Sequence, residues 1–324
     1  ETDRIISAAA ATGDDNTIVG YKAGYDLTTG HSNVIIGYAT AENITQGHTS
    51  TLIGHRAGDS ITTGHSNTAI GAYALDAASA GAENVAIGTY AGTDYVGGNS
   101  TTGAFGVFVG HTAGFKVTGN TSYKGITLVG HAAGYDATGA QQSTGIGQSA
   151  LYYANGALNT TAVGRKAGYK DTGTGSVWVG DSAGHEINGD YNTVMGFGAL
   201  SGASSGTGFG TATLNVAIGR DAMTNVTSGK KNVAVGYDAL KSVTTGENLV
   251  AIGYLAGDAQ TTDDEGSIYI GSSAGSSDDG TNRNIFIGFD AGNKNTTGAN
   301  NLAIGHKALE DMVTGIHNVA IGRE

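Results

Sequence analysis

The sequence repeats itself with a period of about seventeen residues, and this repeat limits the folds that the chain can adopt. Each copy contains a five-residue phrase related to Asn-Val-Ala-Ile-Gly, and eighteen copies align on its final glycine. Most spacings between consecutive glycines are 17 residues, and the others lie between 16 and 23. So fixed a period is typical of a solenoid, in which each repeat buries its apolar side chains against its neighbours. The aligned glycines are Gly20, Gly37, Gly54, Gly71, Gly88, Gly110, Gly130, Gly147, Gly164, Gly180, Gly196, Gly219, Gly236, Gly253, Gly271, Gly288, Gly305 and Gly322.

Composition narrows the class of protein further. The 324 residues include 56 glycines but no proline or cysteine, and glycine without a Gly-X-Y period excludes collagen. The absence of cysteine excludes a disulfide framework and a thiolate metal site. A net charge of −12 without a cluster of Lys and Arg gives no electrostatic footprint for nucleic acid. No apolar run approaches the roughly 18 residues of a membrane span, so we expect neither nucleic acid nor a membrane span.

The repeated phrase has the alternation of a short β-strand. We number its residues from position one, usually Asn, to position five, the glycine. Position two is Thr, Val or Ile in every copy except Leu302, and position four is aliphatic, with Met195 as the only unbranched member. Period-two alternation of β-branched residues indicates a strand with one buried face. We therefore expect positions two and four to point into each rung and position three to point outward.

Two further positions of the repeat suggest how a rung is built. Alanine stands three residues after the glycine in sixteen of seventeen copies, with Thr40 as the exception, so we expect a small side chain inside a thin rung. Asparagine occupies position one in ten copies, and stacked side chains of this kind hydrogen-bond amide to amide along the stack. A Thr-Thr-Gly phrase or a relative of it then supplies the turn that closes the rung.

These features predict an all-β fold, a parallel β-solenoid or β-roll of about 18 rungs with a 17-residue repeat. We expect the repeat domain to span residues 16–324, after an N-terminal half-rung and junction at residues 1–15. Eighteen rungs at about 4.8 Å would form a rod of about 86 Å. The sequence stops two residues after Gly322, within a rung whose second half matches the beginning of the chain. Because unpaired strand edges recruit further strands, we expect head-to-tail stacking into a filament.

Position three carries the predicted contact between chains. It is alanine in eight copies and larger in most others, so an outward face of this kind would be an extended apolar patch that another chain covers. The residues predicted to form this oligomer interface are Ile18, Ile35, Leu52, Phe108, Leu128, Trp178, Tyr269 and Phe286.

The sequence contains no catalytic signature, and we expect a protein that is not an enzyme and has no cofactor or metal. The cluster of Asp263, Asp264 and Glu265 is a candidate calcium site, but it lacks the spacing of a calcium-binding loop. His31, His48 and His65 recur every seventeen residues, so we expect them to stack on one edge. Stacked imidazoles can bind zinc or nickel, but no cysteine or carboxylate completes a coordination sphere here.

Two features are candidates for recognition. Aromatic residues often follow the central glycine, and exposed rows of them either form platforms for sugar rings or cover the edge of a rung. Long spacings between glycines predict surface loops at residues 93–105, 115–124 and 201–214, where insertions in solenoids often bind partners. The aromatic residues are Tyr21, Tyr38, Phe197, Tyr237, Tyr254 and Phe289.

The phrases at residues 84–88, 215–219 and 318–322 resemble the head repeats of trimeric autotransporter adhesins and related repeats of phage tail fibres, in a 17-residue variant. This resemblance implies a left-handed β-roll, three chains packed about an axis, and a role in surface adhesion or host recognition. We therefore expect a structural fibre protein, the shaft or head of an extracellular appendage on a cell surface or virion. Its expected partners are further copies of itself, in a homotrimer or a head-to-tail filament, and surface glycans. The alternative is a polysaccharide- or ice-binding solenoid.

Overall fold

A computed structural model describes residues 13–78, 81–95, 105–118, 125–202, 210–262, 266–279 and 283–324. The chain divides into two compact units, Glu1–Asn159 and Thr160–Glu324. Each unit is a parallel β-solenoid, and the described residues contain strands and turns but no helix. The predicted all-β solenoid with a 17-residue repeat is therefore confirmed. Residues 1–12 lie outside the described part, so the predicted half-rung, the domain boundary after residue 15 and head-to-tail stacking stay predictions.

Every copy of the phrase forms one short strand, and strands that follow each other in the chain pair in parallel within each unit. Ile18 pairs with Ile35, and Ile35 pairs with Leu52, so equivalent positions of the repeat stack in register. The first unit contains β1 (Thr17–Val19), β2 (Val34–Ile36), β3 (Thr51–Ile53), β4 (Thr68–Ile70), β5 (Val85–Ile87), β6 (Gly106–Val109), β7 (Ile126–Val129) and β8 (Thr144–Ile146). The second contains β9 (Thr161–Val163), β10 (Val177–Val179), β11 (Thr193–Met195), β12 (Val216–Ile218), β13 (Val233–Val235), β14 (Val250–Ile252), β15 (Ile268–Ile270), β16 (Ile285–Ile287), β17 (Leu302–Ile304) and β18 (Val319–Ile321).

The central glycine is required by both backbone conformation and space. Gly54 has a φ of +138°, and a Cβ built there would lie 2.5 Å from the carbonyl oxygen of Gly71 in the next rung. A φ in this range is unfavourable for any residue with a side chain, and the neighbouring atom is backbone that cannot move aside. The closest approach between rungs therefore fixes glycine at position five.

The asparagines of position one form buried ladders, as the sequence predicts. The Asn84 Nδ2 donates to Asn67 Oδ1 at 3.1 Å, and the Asn215 Nδ2 donates to Asn192 Oδ1 at 3.2 Å. Each ladder oxygen also accepts the backbone N–H of the next rung, for example from Asn232 to Asn215 Oδ1 at 3.0 Å. These bonds satisfy buried backbone N–H groups that have no partner in the strand pairing. The asparagines therefore have a structural role.

The alanine after the glycine lies inside the rung, and this prediction is confirmed in all sixteen copies. The exception also has a physical explanation. The Thr40 side chain is buried, and its hydroxyl donates to the carbonyl oxygen of Gly54 at 2.5 Å. Threonine is tolerated there because its buried hydroxyl has a hydrogen-bond partner in the next rung.

The predicted direction of the strand side chains is wrong. Position three points into the solenoid, whereas positions two and four are half-buried or exposed. All eight residues predicted as an interface, Ile18, Ile35, Leu52, Phe108, Leu128, Trp178, Tyr269 and Phe286, are buried within their own unit. The alternation was right but its phase was reversed, because position three shares its side of the strand with the buried asparagine of position one. These residues form the core and do not present a surface to another chain.

The core balances large residues at position three against small ones four residues after the glycine. Phe286 occurs in the same rung as Gly292, where an added Cβ would lie 2.5 Å from the Phe286 ring. The rung with Ala234 instead carries Leu240, and both are buried. Each rung has a limited interior volume, so a large side chain at one of these positions requires a small one at the other.

Enlarging an interior alanine should therefore destabilise the solenoid. We expect Ala183→Leu to lower the free energy of unfolding by about 1–3 kcal/mol or more, because Ala183 is fully buried in a rung that already contains Trp178. The measurement is the denaturant midpoint of the full chain. Asn225→Leu, at an exposed turn of the same unit, is the control and should change the midpoint little. Equal midpoints for Ala183→Leu and the wild type would contradict the packing described above.

Candidate functional site: the outer sheet face and the ring columns

The strands present an uncharged apolar surface to the outside. We call the side chains at positions two and four of the strands the outer sheet face. In all eighteen copies these two positions hold only Thr, Val, Ile, Leu302 or Met195, and no charged residue occurs among them. Ile252 is 40% exposed and Met195 is 51% exposed, although both belong to strands whose neighbours are in place on either side. The face is therefore apolar and accessible at the same time.

The size of this face is comparable to that of a binding patch. Ten strands at about 4.8 Å, each three residues long at about 3.3 Å per residue, give the second unit a face of about 480 Å². The largest exposed apolar patch of a soluble monomer is about 300–600 Å² and often functional. A solvated face of an antiparallel sheet would instead show polar residues. The outer sheet face is thus the strongest candidate for a contact surface within each unit.

Charged side chains lie in the turns after the central glycine, and several of them form ion pairs there. The Arg56 Nη2 lies 2.6 Å from Asp59 Oδ2, and the Lys241 Nζ lies 2.9 Å from Asp238 Oδ2, both within one rung. The Arg56 and Lys241 side chains are partly exposed, whereas the carboxylates of Asp59 and Asp238 are buried. The position of these pairs leaves the outer sheet face free of charge that would have to be desolvated in a contact.

Aromatic rings after the central glycine stack on one another from rung to rung. The ring centroids of Tyr21 and Tyr38 are 5.3 Å apart with 20° between the planes, and those of Tyr38 and His55 are 5.3 Å apart with 7°. The Arg220 guanidinium lies 5.6 Å from the ring centroids of both Phe197 and Tyr237. We call these stacks the ring columns.

The stacking geometry weakens the prediction of a sugar platform. A sugar ring binds to the open face of an aromatic ring, whereas each stacking contact in a ring column covers one face of both rings. The stacking instead favours the alternative interpretation, in which the rings cover the edge of the rung. That surface glycans are partners stays a prediction.

His31, His48 and His65 stack as predicted, with ring centroids 5.0 and 4.8 Å apart and planes within 3° of parallel. Each Nδ1 lies near the hydroxyl of the following residue, as with His48 Nδ1 and Thr49 Oγ1 at 3.4 Å. His111 and His131 form a second stack at 5.4 Å. Among the described residues, no group of three or more His, Asp and Glu side chains is arranged to hold a metal ion.

We expect His48 of the histidine column to make stability depend on pH. Burial lowers the pKa of His48, and the neighbouring His65 and His31 lower it further. The unfolded chain therefore binds this proton at a higher pH than the folded chain. The stabilisation is present above the unfolded pKa of about 6.5 and is lost as the pH falls through the lower folded pKa. We expect His48→Gln to reduce the fall in unfolding midpoint between about pH 7 and pH 5.

The control for this prediction is His317→Gln, since His317 is exposed and belongs to the second unit. It should leave the first unit's pH dependence unchanged. An NMR titration of His48 gives an independent measurement. Its pKa should rise when His31 and His65 are both replaced by glutamine, and an unchanged pKa would show that the neighbours do not act on it.

The buried carboxyl of Asp171 has its hydrogen-bond partners within the core. Asp171 accepts hydrogen bonds from Trp178 Nε1 at 3.1 Å, Thr160 Oγ1 at 3.0 Å and the Gly173 backbone at 2.9 Å. Burial raises the pKa of the Asp171 carboxyl, and these donors oppose the shift. Because a substrate has no access to this fully buried group, we assign it to packing around Trp178.

Several sequence candidates fall outside the described residues. These are the cluster of Asp263, Asp264 and Glu265, and the central parts of the three predicted loops at residues 96–104, 119–124 and 203–209. Sequence reasoning missed the outer sheet face itself. The signal for it was present, because positions two and four hold aliphatic residues or threonine and never a charged residue, in a chain with a net charge of −12.

Known proteins give no functional assignment for this chain, so a proposal depends on the geometry of the chain itself. No protein-family model matches the sequence, and no curated protein matches it significantly. Within the described residues, no helix is long and apolar enough to cross a membrane.

Proposed function

We propose that this chain is a structural fibre protein, the shaft or head of an extracellular appendage of the adhesin or phage tail-fibre type. We further propose that it works as a homo-oligomer whose chains meet through their outer sheet faces. The observation that carries the proposal is the absence of any charged residue at positions two and four throughout the repeat.

The first step of the argument is that the outer sheet face is not needed for the fold of a single chain. Position three, the alanines and the asparagine ladders already fill the interior. A monomer would be free to carry Lys, Glu or Asn at positions two and four, which would favour solubility and discourage association between sheets. The repeat instead keeps aliphatic residues and threonine there, almost all of them β-branched and none of them charged, as expected for a surface that is covered.

The second step is that a repeating face suits a repeating partner. Val216, Val233 and Val250 stack in one column, while Ile218, Val235 and Ile252 stack in the next. A second copy of the chain offers the same columns with the same spacing along the rungs. Three such faces around a common axis would cover each other, which agrees with the trimer implied by the resemblance to adhesin heads.

The test is the mass of the full chain in solution, measured by light scattering, for the wild type and for Ile218→Glu combined with Ile252→Glu. We expect a stable oligomer, most simply a trimer, for the wild type and a monomer for the double variant, since two buried unpaired carboxylates per chain would oppose the contact. The control is Asn225→Glu combined with Thr224→Glu, which adds the same charge at a turn. A monomeric wild type, or loss of the oligomer in the control alone, would rule out this face as the interface.

A second candidate function follows from threonines on the same face. Thr51 and Thr68 occupy position two of adjacent strands in register, and Thr127 pairs with Thr144 in the same way. A flat array of regularly spaced threonine and aliphatic side chains suits a repetitive solid such as ice or a crystalline polysaccharide. Valine interrupts the array at Val34 and Val85, which favours the fibre. A thermal-hysteresis assay separates the two, because only the ice-binding function predicts a depressed freezing point.

A further inference from the structure

Tyrosines stand in stacked pairs on consecutive rungs. The ring centroids are 5.3 Å apart for Tyr21 and Tyr38 and 5.5 Å apart for Tyr237 and Tyr254, with about 20° between the planes in both pairs. Tyr73 and Tyr90 are 5.0 Å apart with 8° between their planes. The in-register stacking of the rungs holds both phenols of each pair in place, so their proximity does not depend on a chance encounter.

The tyrosines of the Tyr21–Tyr38 and Tyr237–Tyr254 pairs are accessible from solvent, whereas Tyr73 is half-buried. Tyr38 and Tyr254 are each 53% exposed, and the partner ring is also exposed in both pairs. A one-electron oxidant that acts at the protein surface can therefore reach both members. Tyr25 and Tyr191 are equally accessible, but neither stacks on another tyrosine in the described part of the chain. They provide comparison sites within the same molecule.

The chain also contains few groups that would remove a tyrosyl radical once it forms. Cysteine thiols, the most effective quenchers among side chains, are absent. Trp178 is the only tryptophan, and it is fully buried. A radical on an exposed ring column therefore has the neighbouring phenol as its nearest oxidisable group.

We propose that the stacked pairs Tyr21–Tyr38 and Tyr237–Tyr254 are sites of oxidative dityrosine cross-linking between consecutive rungs of one chain. Each phenol loses one electron and one proton to a peroxide-driven haem oxidant. The two phenoxyl radicals join through a new carbon–carbon bond between their ortho positions. Each of these carbons then loses its hydrogen as the ring regains aromaticity by forming a phenol hydroxyl. Overall the pair loses two hydrogen atoms, and one hydrogen peroxide is reduced to two waters.

The consequence of such a bond is a covalent clip parallel to the stacking direction. A bond between Tyr21 and Tyr38 closes a loop of one repeat, as a disulfide would in a chain that has cysteine. Neighbouring rungs would then be unable to separate without breaking a carbon–carbon bond, which no reductant reverses. The cross-link would therefore slow fraying of the solenoid between the linked rungs.

The experiment uses the full chain, treated with a haem peroxidase and limiting hydrogen peroxide, and then digested for mass spectrometry. We expect linked peptides that join Tyr21 to Tyr38 and Tyr237 to Tyr254, each lighter by two hydrogens than the sum of its parts, together with dityrosine fluorescence. These links should be several times more abundant than any link that involves Tyr25 or Tyr191. Chains of two isotopic compositions, refolded together before oxidation, distinguish links within a chain from links between chains.

The matched variant is Tyr38→Phe, which keeps a stacked ring but cannot form a phenoxyl radical. It should abolish the link to Tyr21 and leave the Tyr237–Tyr254 link unchanged in the same sample. The proposal is wrong if linked peptides are absent although tyrosine is consumed, if mixed-isotope links dominate, or if Tyr25 and Tyr191 are linked as often as the stacked pairs.

Discussion

Replacing Phe286 by alanine is expected to lower the free energy of unfolding by about 3–5 kcal/mol. The side chain is fully buried at position three, with the Tyr269 ring centroid 6.1 Å away. The variant loses the transfer energy of the ring and leaves a cavity, because the neighbouring rungs hold the backbone in place. The measurement is the denaturant midpoint of the full chain. Phe289→Ala in the same rung is the control, since Phe289 is 48% exposed and should cost little.

A second substitution should reverse this loss. Gly292→Leu alone is expected to destabilise by about 3 kcal/mol or more, because its Cβ would lie 2.5 Å from the Phe286 ring. Combined with Phe286→Ala, it recreates the pairing of Ala234 with Leu240, and Leu240 adopts the positive φ of 50° that this place requires. We expect the double variant to lie within about 2 kcal/mol of the wild type. Losses that simply add would contradict the volume balance between the two positions.

The solenoid, the asparagine ladders and the interior alanines could be predicted from the sequence because each is a local requirement repeated in every rung. Asn215 must hydrogen-bond to its neighbours wherever a rung stands between two others. Ala183 must be small wherever the rung is thin. Because the rungs stack in parallel and in register, the same requirement recurs at the same position of every repeat. The pattern is therefore visible in the sequence without knowledge of the fold.

Which face of each strand is buried could not be predicted from the alternation alone. A period of two places Val216 and Ile218 on one side of the strand and Ala217 on the other. It does not indicate which of the two sides faces the interior. Both sides are apolar here, so hydrophobicity does not decide. Two other signals would have decided correctly. Asn215 shares its side with Ala217 and needs buried partners, and large residues at position three coincide with glycine later in the rung, as for Phe286 and Gly292.

The predicted outward face named the wrong side-chain columns of each strand for the same reason. Reversing the phase transfers the apolar outward face from Trp178 and its equivalents to Val177 and Val179. The stacking of the aromatic rings face to face also could not be predicted from the sequence. The spacing of Tyr21 and Tyr38 predicts that they are neighbours, but only the side-chain geometry shows that their rings cover each other.

Asn215→Ala is expected to be costly although it removes no apolar contact. Asn215 is fully buried, its Oδ1 accepts the backbone N–H of Asn232 at 3.0 Å, and its Nδ2 donates to the carbonyl oxygen of Gly229 at 2.9 Å. Alanine leaves both backbone groups without these partners in the interior. Each loss costs about 1–3 kcal/mol, so we expect the free energy of unfolding to fall by about 2–5 kcal/mol.

Asn215→Ser separates this hydrogen-bonding role from the effect of side-chain size. Ser176 occupies position one in another rung, where its hydroxyl donates to the Gly189 carbonyl oxygen at 3.1 Å and accepts the Asn192 backbone N–H at 3.2 Å. A serine at residue 215 can make both bonds, so it should retain most of the stability that alanine loses. Hydrogen exchange of the Asn232 amide should accelerate in the alanine variant but much less in the serine variant. If serine and alanine destabilised equally, the ladder would act through volume, and the stability of the rungs would not depend on these paired backbone groups.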